Sequence, residues 1–176
     1  MGTKCIRTFG AALVVCFTLL GVVTASAYAE EGEKCSAGSG RIKVSPALSE
    51  SPHVVRLTFK GTVGPCTGKY VAARFGAVVQ TTGEVRCSAL TSGGEPTNGE
   101  AALSWQHKIE FTSIGPEFMI PFTGSGEVSF SSANIPHGQP FEGMHLSGKL
   151  AMHFGPCGGK AKVHKGTFTS SELVVS

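Results

Sequence analysis

Aspartate is missing from the 176-residue chain altogether, so all 12 acidic side chains are glutamate. A Ser-His-Asp triad is therefore excluded, and any acid-assisted triad would need a glutamate as its third member. Aromatics that stack on ligands are also scarce, with one Trp and two Tyr. That is too few for the aromatic girdles of an outer-membrane barrel and gives little support to a sugar-stacking lectin. No G-x-S-x-G elbow, H-x-H pair or H-E-x-x-H motif occurs, which removes the usual sequence marks of an α/β-hydrolase or a zinc protease. Sustained helical periodicity is absent too.

What is present first is an export signal. Lys4 and Arg7 precede an uncharged run from Phe9 to Val23, followed by the small-residue stretch Thr24-Ala25-Ser26-Ala27-Tyr28-Ala29. Basic, apolar and small, in that order, is the pattern of a cleaved signal peptide. Ala27-Tyr28-Ala29 fits the peptidase cleft, with Ala25-Ser26-Ala27 as the second choice, so residues 1–29 form the leader and residues 30–176 a single mature domain. The apolar run is shorter than the roughly 20 residues a membrane span needs. Val15 before Cys16 argues against lipid attachment, and no arginine pair points to twin-arginine export. The protein is thus expected to be secreted or cell-surface, through the general secretion route.

Loss of the leader removes two basic residues and no acid, leaving 13 Lys and Arg against 12 Glu. So even a balance gives no net electrostatic footprint for nucleic acid. Lys160, Lys162, His164 and Lys165 read as a solvated strand end.

Four cysteines remain after cleavage: Cys35, Cys66, Cys87 and Cys157. In an exported chain an even set reads as disulfides. Their spacings of 31, 21 and 70 residues do not suit a zinc site, which wants closely spaced pairs. Cys35 and Cys66 flank a hairpin whose turn falls near Pro46–Pro52, so the preferred pairing is Cys35 with Cys66 and Cys87 with Cys157. Cys66–Cys87 with Cys35–Cys157 is the main rival.

Period-2 alternation is the dominant local signal. Val55, Leu57, Phe59, Gly61 and Val63 share one face, with Arg56, Thr58, Lys60 and Thr62 opposite. Segments 101–111 and 144–154 alternate in the same way, and weaker strands are expected at 40–45, 70–80, 84–89, 117–123, 126–131 and 161–175. Gly- and Pro-rich breaks separate them, including Gly64-Pro65, Ser92 to Gly99, Gly115-Pro116 and Pro136 to Gly143. Gly64-Pro65-Cys66 is echoed by Gly155-Pro156-Cys157, as if two similar corners each carried a disulfide. The fold class is all-β: an antiparallel β-sandwich or small flattened barrel of about nine strands, with no helix. Its core should contain Leu57, Phe59, Leu103, Trp105, Phe111, Phe130, Leu146, Leu150 and Phe154, while Lys60, Lys108 and Lys149 face water.

Chemistry is harder to find. His145 and His153 lie eight residues apart on one strand, roughly 26 Å along an extended chain, so they cannot share a metal there. His107 interrupts an apolar face and reads as a core or rim histidine. No catalytic residue, metal site or cofactor is expected, and the glutamates read as solubilising groups.

Cys35, Ile42-Lys43-Val44-Ser45-Pro46, Gly61-Thr62-Val63-Gly64-Pro65-Cys66, Gly83 to Cys87, Gly99 to Trp105, Cys157 and Gly166-Thr167-Phe168-Thr169 form a pattern that covers nearly all of the mature chain. It resembles small secreted actinobacterial β-rich proteins. The resemblance implies export and a disulfide-bonded β fold and carries over no catalytic residues. The histidines and methionines of 137–153 depart from the Thr/Ser-rich strands usual there.

These features point to a secreted, non-enzymatic domain that binds envelope material or a partner protein, with no nucleic-acid partner. Its contacts are expected on the longest loops, Ser92–Gly99 and Asn134–Gly143, as loops on rigid scaffolds usually carry function. His137, Gln139 and an exposed Phe141 are the candidate binding residues, and Tyr70 is a second exposed aromatic. The alternatives are a barrel carrier of a small apolar ligand and a small secreted hydrolase using His107 or His137 with a glutamate. Export from a bacterial host should yield a chain that begins at Glu30 by intact mass and N-terminal sequencing. A product that keeps Met1 would contradict the leader.

Overall fold

Alternating strands bury one face only, and an open sheet of them leaves two raw edges. This chain removes the edges by closing on itself. The computed structural model describes residues 32–92, 95–107, 110–124 and 126–176, with the side chains of 95, 107 and 110–114 outside the description. The leader assigned to 1–29 lies outside the described residues. The elements are β1 (Glu33–Cys35), β2 (Gly38–Leu48), β3 (Arg56–Val63), β4 (Cys66–Thr67), β5 (Ala72–Thr81), α1 (Ala89–Ser92), β6 (Glu95–His107), β7 (Glu110–Ile114), β8 (Glu117–Phe122), β9 (Glu127–Asn134), β10 (His145–Phe154) and β11 (Val163–Val175).

Strands β2, β3, β5, β6, β8, β9, β10 and β11 pair with their neighbours in that order, and β11 pairs back to β2. All pairings are antiparallel, so the fold is an eight-stranded up-and-down barrel. The short strands extend the long ones. β1 and β4 continue the lines of β2 and β3 past one end, and β7 continues β8 along β6. Gly64-Pro65 and Gly115-Pro116 therefore kink strands that run on in the same direction, where the sequence pattern alone places turns.

Eight strands enclose a space that side chains can just fill or that can hold one small ligand. Here it is filled. Phe59, Phe75, Phe118, Phe130 and Phe168 form a middle layer of edge-on and tilted contacts, with centroids 5.1 to 6.4 Å apart. Tyr70, Trp105 and Phe141 close one end at 5.5–5.6 Å, and Phe122 packs on Phe154 toward the other at 5.7 Å. A void of about 10 Å³ remains between Val63, Phe75, Phe130, Leu150, Phe168, Ser170 and Leu173, room for one water at most.

The large rings fit because inward positions opposite them are bare. Phe168, Gly40 and Gly61 lie side by side in register across β11, β2 and β3. A Cβ on Gly40 would sit 2.4 Å from the Phe168 ring, and one on Gly61 would sit 2.7 Å from it and 2.3 Å from the Ser39 carbonyl oxygen. These two glycines are a floor for the ring.

Each end carries one disulfide. Cys35 bonds to Cys66 and Cys87 to Cys157, the first of the connectivities weighed above. The β2–β3 register runs on unbroken through the kinks, which sets Cys35 directly opposite Cys66. Loop closure over 31 and 70 residues corresponds to about 3.5–4.5 kcal/mol each in the chain-entropy view.

Several expectations need correction. The barrel is closed, and the strand segments among the described residues number eleven where about nine are expected. Segment 84–89 is not a strand: Val85 makes a single bridge to His53 and the chain then turns into α1. Segment 101–111 spans the end of β6 and the start of β7. Glu95–Gly99, read as loop, is the start of β6, paired to β5 and β8. Gly99 is there because a Cβ would meet the Val78 carbonyl oxygen at 1.9 Å, a close strand approach rather than a turn. Leu57, Phe59, Leu103, Trp105, Phe130, Leu146 and Leu150 are buried, whereas Phe154 is only half-buried. Lys60 and Lys149 face water. The side chains of Phe111 and Lys108 lie outside the description.

Gly61→Ala is expected to destabilise the domain by about 1–3 kcal/mol, the usual penalty of overpacking, read as a lower urea midpoint. An unchanged midpoint would show that Phe168 is not held against the β2–β3 backbone.

Candidate functional site

The Asn134–Gly143 connection is the natural starting point, because it carries His137, Gln139 and Phe141. It folds over the Cys35–Cys66 end of the barrel. Ile135 N–H donates to Met144 O at 2.8 Å, Gly143 N–H to Ile135 O at 3.0 Å and Met144 N–H to Phe141 O at 2.9 Å. Gln139 Oε1 accepts from Gly115 N–H at 2.7 Å, tying the loop to the β7–β8 kink. Glu142 accepts from Gly138 N–H at 2.9 Å and lies 3.4 Å from His137 Nε2.

Phe141 is not an exposed anchor. It is 1% exposed and plugs the barrel against Tyr70 and Trp105. Its backbone has φ of 62°, a conformation costly for a bulky residue and held here by burial of its ring. Tyr70, expected at the surface, is 3% exposed. Gln139 is spent on the Gly115 amide of the β7–β8 kink, and of the three, His137 alone is fully exposed, beside Glu142.

Beneath the plug lies a buried carboxyl. Glu33 on β1 is 1% exposed. Its Oε2 accepts from Lys69 N–H at 3.0 Å and Tyr70 N–H at 3.2 Å, while Oε1 has no partner among the described residues. Gly68 turns beside it with φ of +120°, where a Cβ would strike the carboxylate at 2.8 Å. Burial outweighs the two amide bonds and raises the Glu33 pKa above its ordinary 4.5. Glu33 thus organises the 66–70 turn that seats Tyr70 on Trp105.

The histidines are dispersed. His53 places its ring nitrogens at 2.7 Å from Ser51 O and 3.1 Å from Ala47 O. His145 Nδ1 is 3.3 Å from Ser132 O. His153 and His164 are exposed, and the His107 side chain lies outside the description. Among the described residues no group of three or more His, Cys, Asp or Glu is placed to hold a metal.

The outer wall is where chemically related side chains converge. Outward positions on β11, β2, β3 and β5 carry Lys165, Arg41, Lys43, Arg56, Lys60 and Arg74, all exposed. β2, β3 and β5 contain no acidic residue at all. Glu100, Glu117 and Glu127 are exposed on β6, β8 and β9. One transverse row reads Lys165, Lys43, Thr58, Val78, Glu100, Glu117 in register, basic at one end and acidic at the other. A near-neutral total hides this separation, although five of the six basic residues lie on β2, β3 and β5 and Lys165 alone comes from the distant β11. The available signal was alternation itself: once the polar faces are fixed, their charges can be summed strand by strand.

A second feature is a seam. Among the described residues β8 and β9 pair only at Phe118–Ser132 and Met119–Ser131. The Ile120 carbonyl faces β6, where Thr97 Oγ1 donates to it at 2.6 Å, so by strand alternation the next residue, Pro121, faces β9. Proline has no N–H to give, and the ladder stops. An outward groove of about 350 Å³ opens there, with Met119, Pro121 and Phe130 among its walls.

No protein-family model, curated protein or solved structure matches the chain.

The Glu33 carboxyl gives a pH test. Its raised pKa means that the folded state holds the proton more tightly than the unfolded chain. The stabilisation is full below the ordinary carboxyl value and fades as pH rises through the folded one. Glu33→Gln, which keeps an acceptor and removes the charge, should gain stability relative to wild type as pH rises above the ordinary carboxyl value, measured by thermal melts at each pH. A difference independent of pH would contradict the assignment.

Proposed function

We propose that the chain is an exported, non-enzymatic domain that binds envelope material or a protein partner outside the cell, through the outer surface of its barrel. The observation that carries this reading is the filled interior. With a residual void of about 10 Å³, contacts with another molecule fall on the wall or the ends. Two disulfides suit an oxidising compartment, and no helix among the described residues is long and apolar enough to cross a membrane. The resemblance to small secreted actinobacterial proteins points the same way.

The carrier reading has one support, the outward groove at the β8–β9 seam. Its walls include the exposed Met119, so a small apolar ligand would sit in the wall rather than in the lumen. For the hydrolase reading, the His137 ring and its neighbour Glu142, 3.4 Å away, are both exposed.

The oxidised, exported protein should sediment with washed cell envelopes of the host that exports it and release no product from ester, peptide or glycan substrates. Turnover abolished by His137→Ala or His107→Ala, or complete failure to sediment, would defeat the proposal.

A further inference from the structure

The basic wall has a feature that stability alone disfavours. Arg41 on β2 lies directly opposite Lys60 on β3, and Lys43 directly opposite Lys165 on β11. Like charges facing each other across antiparallel strands are destabilising. Among the described residues none of these four has a carboxylate within ion-pair distance. Arg56 stands one row further along β3, and Arg74 flanks the array on β5. Strands about 4.8 Å apart and outward residues about 7 Å apart along each strand make a flat lattice of positive charge.

Hydroxyl groups fill the gaps in that lattice. The row beside Arg41 and Lys60 runs Thr169, Ser39, Thr62, Arg74, Ser104 in register across five strands. Opposite Lys60 stands Gly76, whose missing side chain leaves a shallow trough of about 520 Å³ lined by Lys60, Thr62, Arg74, Ala102 and Ser104 among others. Among the described side chains no exposed aromatic adjoins it, since Trp105 and Tyr70 are both buried. Stacking on bases, the mainstay of single-strand nucleic-acid binding, is therefore not offered. β11, β2 and β3 also present no exposed large apolar residue among those described, so nothing there would insert into a bilayer.

We propose that this wall, centred on Arg41, Lys43, Lys60 and Lys165, binds an acidic polysaccharide. The ammonium and guanidinium groups meet its anionic substituents, and the Ser and Thr hydroxyls bond its sugar hydroxyls. The proposal rests on the binding-domain reading and names the chemistry of the envelope component. Like-charge pairs kept against stability are what an anion-binding face requires, because the ligand supplies the missing counter-charge.

The test uses the full oxidised chain after export, with polygalacturonate as the probe. Binding is expected at low salt, with log K falling linearly as log salt rises. The variant R41Q/K43Q/K60Q/K165Q should bind at least about tenfold more weakly with a shallower salt slope, and should melt no lower than wild type, since it removes two repulsive pairs. E100Q/E117Q, on the opposite wall, should bind as tightly as wild type or more tightly. Fully methyl-esterified polygalacturonate should not bind. Equal affinity of the quadruple variant overturns the proposal. So does tighter binding to single-stranded oligothymidylate of matched charge, which would assign the wall to nucleic acid, or to phosphatidylglycerol vesicles, which would assign it to a membrane surface. If envelope sedimentation survives the four substitutions, the polysaccharide assignment fails while the binding-domain reading stands; if wild type does not sediment either, both fail.

Discussion

Everything in this domain depends on how an eight-stranded barrel is filled. Closure removes the sheet edges, but it also fixes the interior volume, and that volume must be matched by side chains at interior density. The match is made by rings lying on bare backbone. Phe168 rests on Gly40 and Gly61, and Gly148 likewise faces the Phe130 ring, which a Cβ would meet at 2.9 Å. Bulk on one strand is answered by absence on the next. With Tyr70, Trp105 and Phe141 over one end, the lumen is committed to stability, which is why the proposed recognition is placed on the wall.

The wall in turn is shaped by register. Antiparallel pairing fixes which outward residues are neighbours, so Arg41 meets Lys60 and Glu100 meets Glu117 whether or not this favours folding. The two disulfides, one at each end, supply stability from the unfolded side. Such staples let a small domain tolerate repulsive cross-strand pairs, a buried carboxyl such as Glu33 and a left-handed Phe141. The sites that local rules disfavour lie at the plugged end and on the outer wall, where Arg41–Lys60, Lys43–Lys165 and Glu100–Glu117 face each other, while the aromatic middle layer obeys them.

Much of the fold was legible because alternation is a local signal. The inward sets around Leu57 and Phe59, and around Leu146 and Leu150, could be read directly, and so could the hairpin that places Cys35 by Cys66. What failed was the reading of glycine and proline. Gly99 and Gly115-Pro116 look like turn residues, yet Gly99 permits a strand to approach Val78 and Pro116 sits at a kink in a continuing line. A local sequence does not say whether a glycine answers a backbone need or a neighbour's bulk. Phe141 failed for a related reason: amid Pro, Gly and Gln it looks solvent-facing, and only the open barrel end above Trp105 explains its burial. The charged wall was hidden by summation over the whole chain, since the acidic residues of β6, β8 and β9 offset the basic ones of β2, β3 and β5.

The central claim is that the outer wall over β11, β2 and β3, and not the lumen or the plugging loop, is the working surface. Chemical-shift mapping of backbone amides and the Trp105 indole during titration with polygalacturonate tests it most directly. The account predicts shifts concentrated at the amides around Arg41, Lys43, Lys60 and Lys165, with the indole and residues 137–143 unmoved. Shifts confined to the Trp105 indole and the 137–143 loop would contradict it.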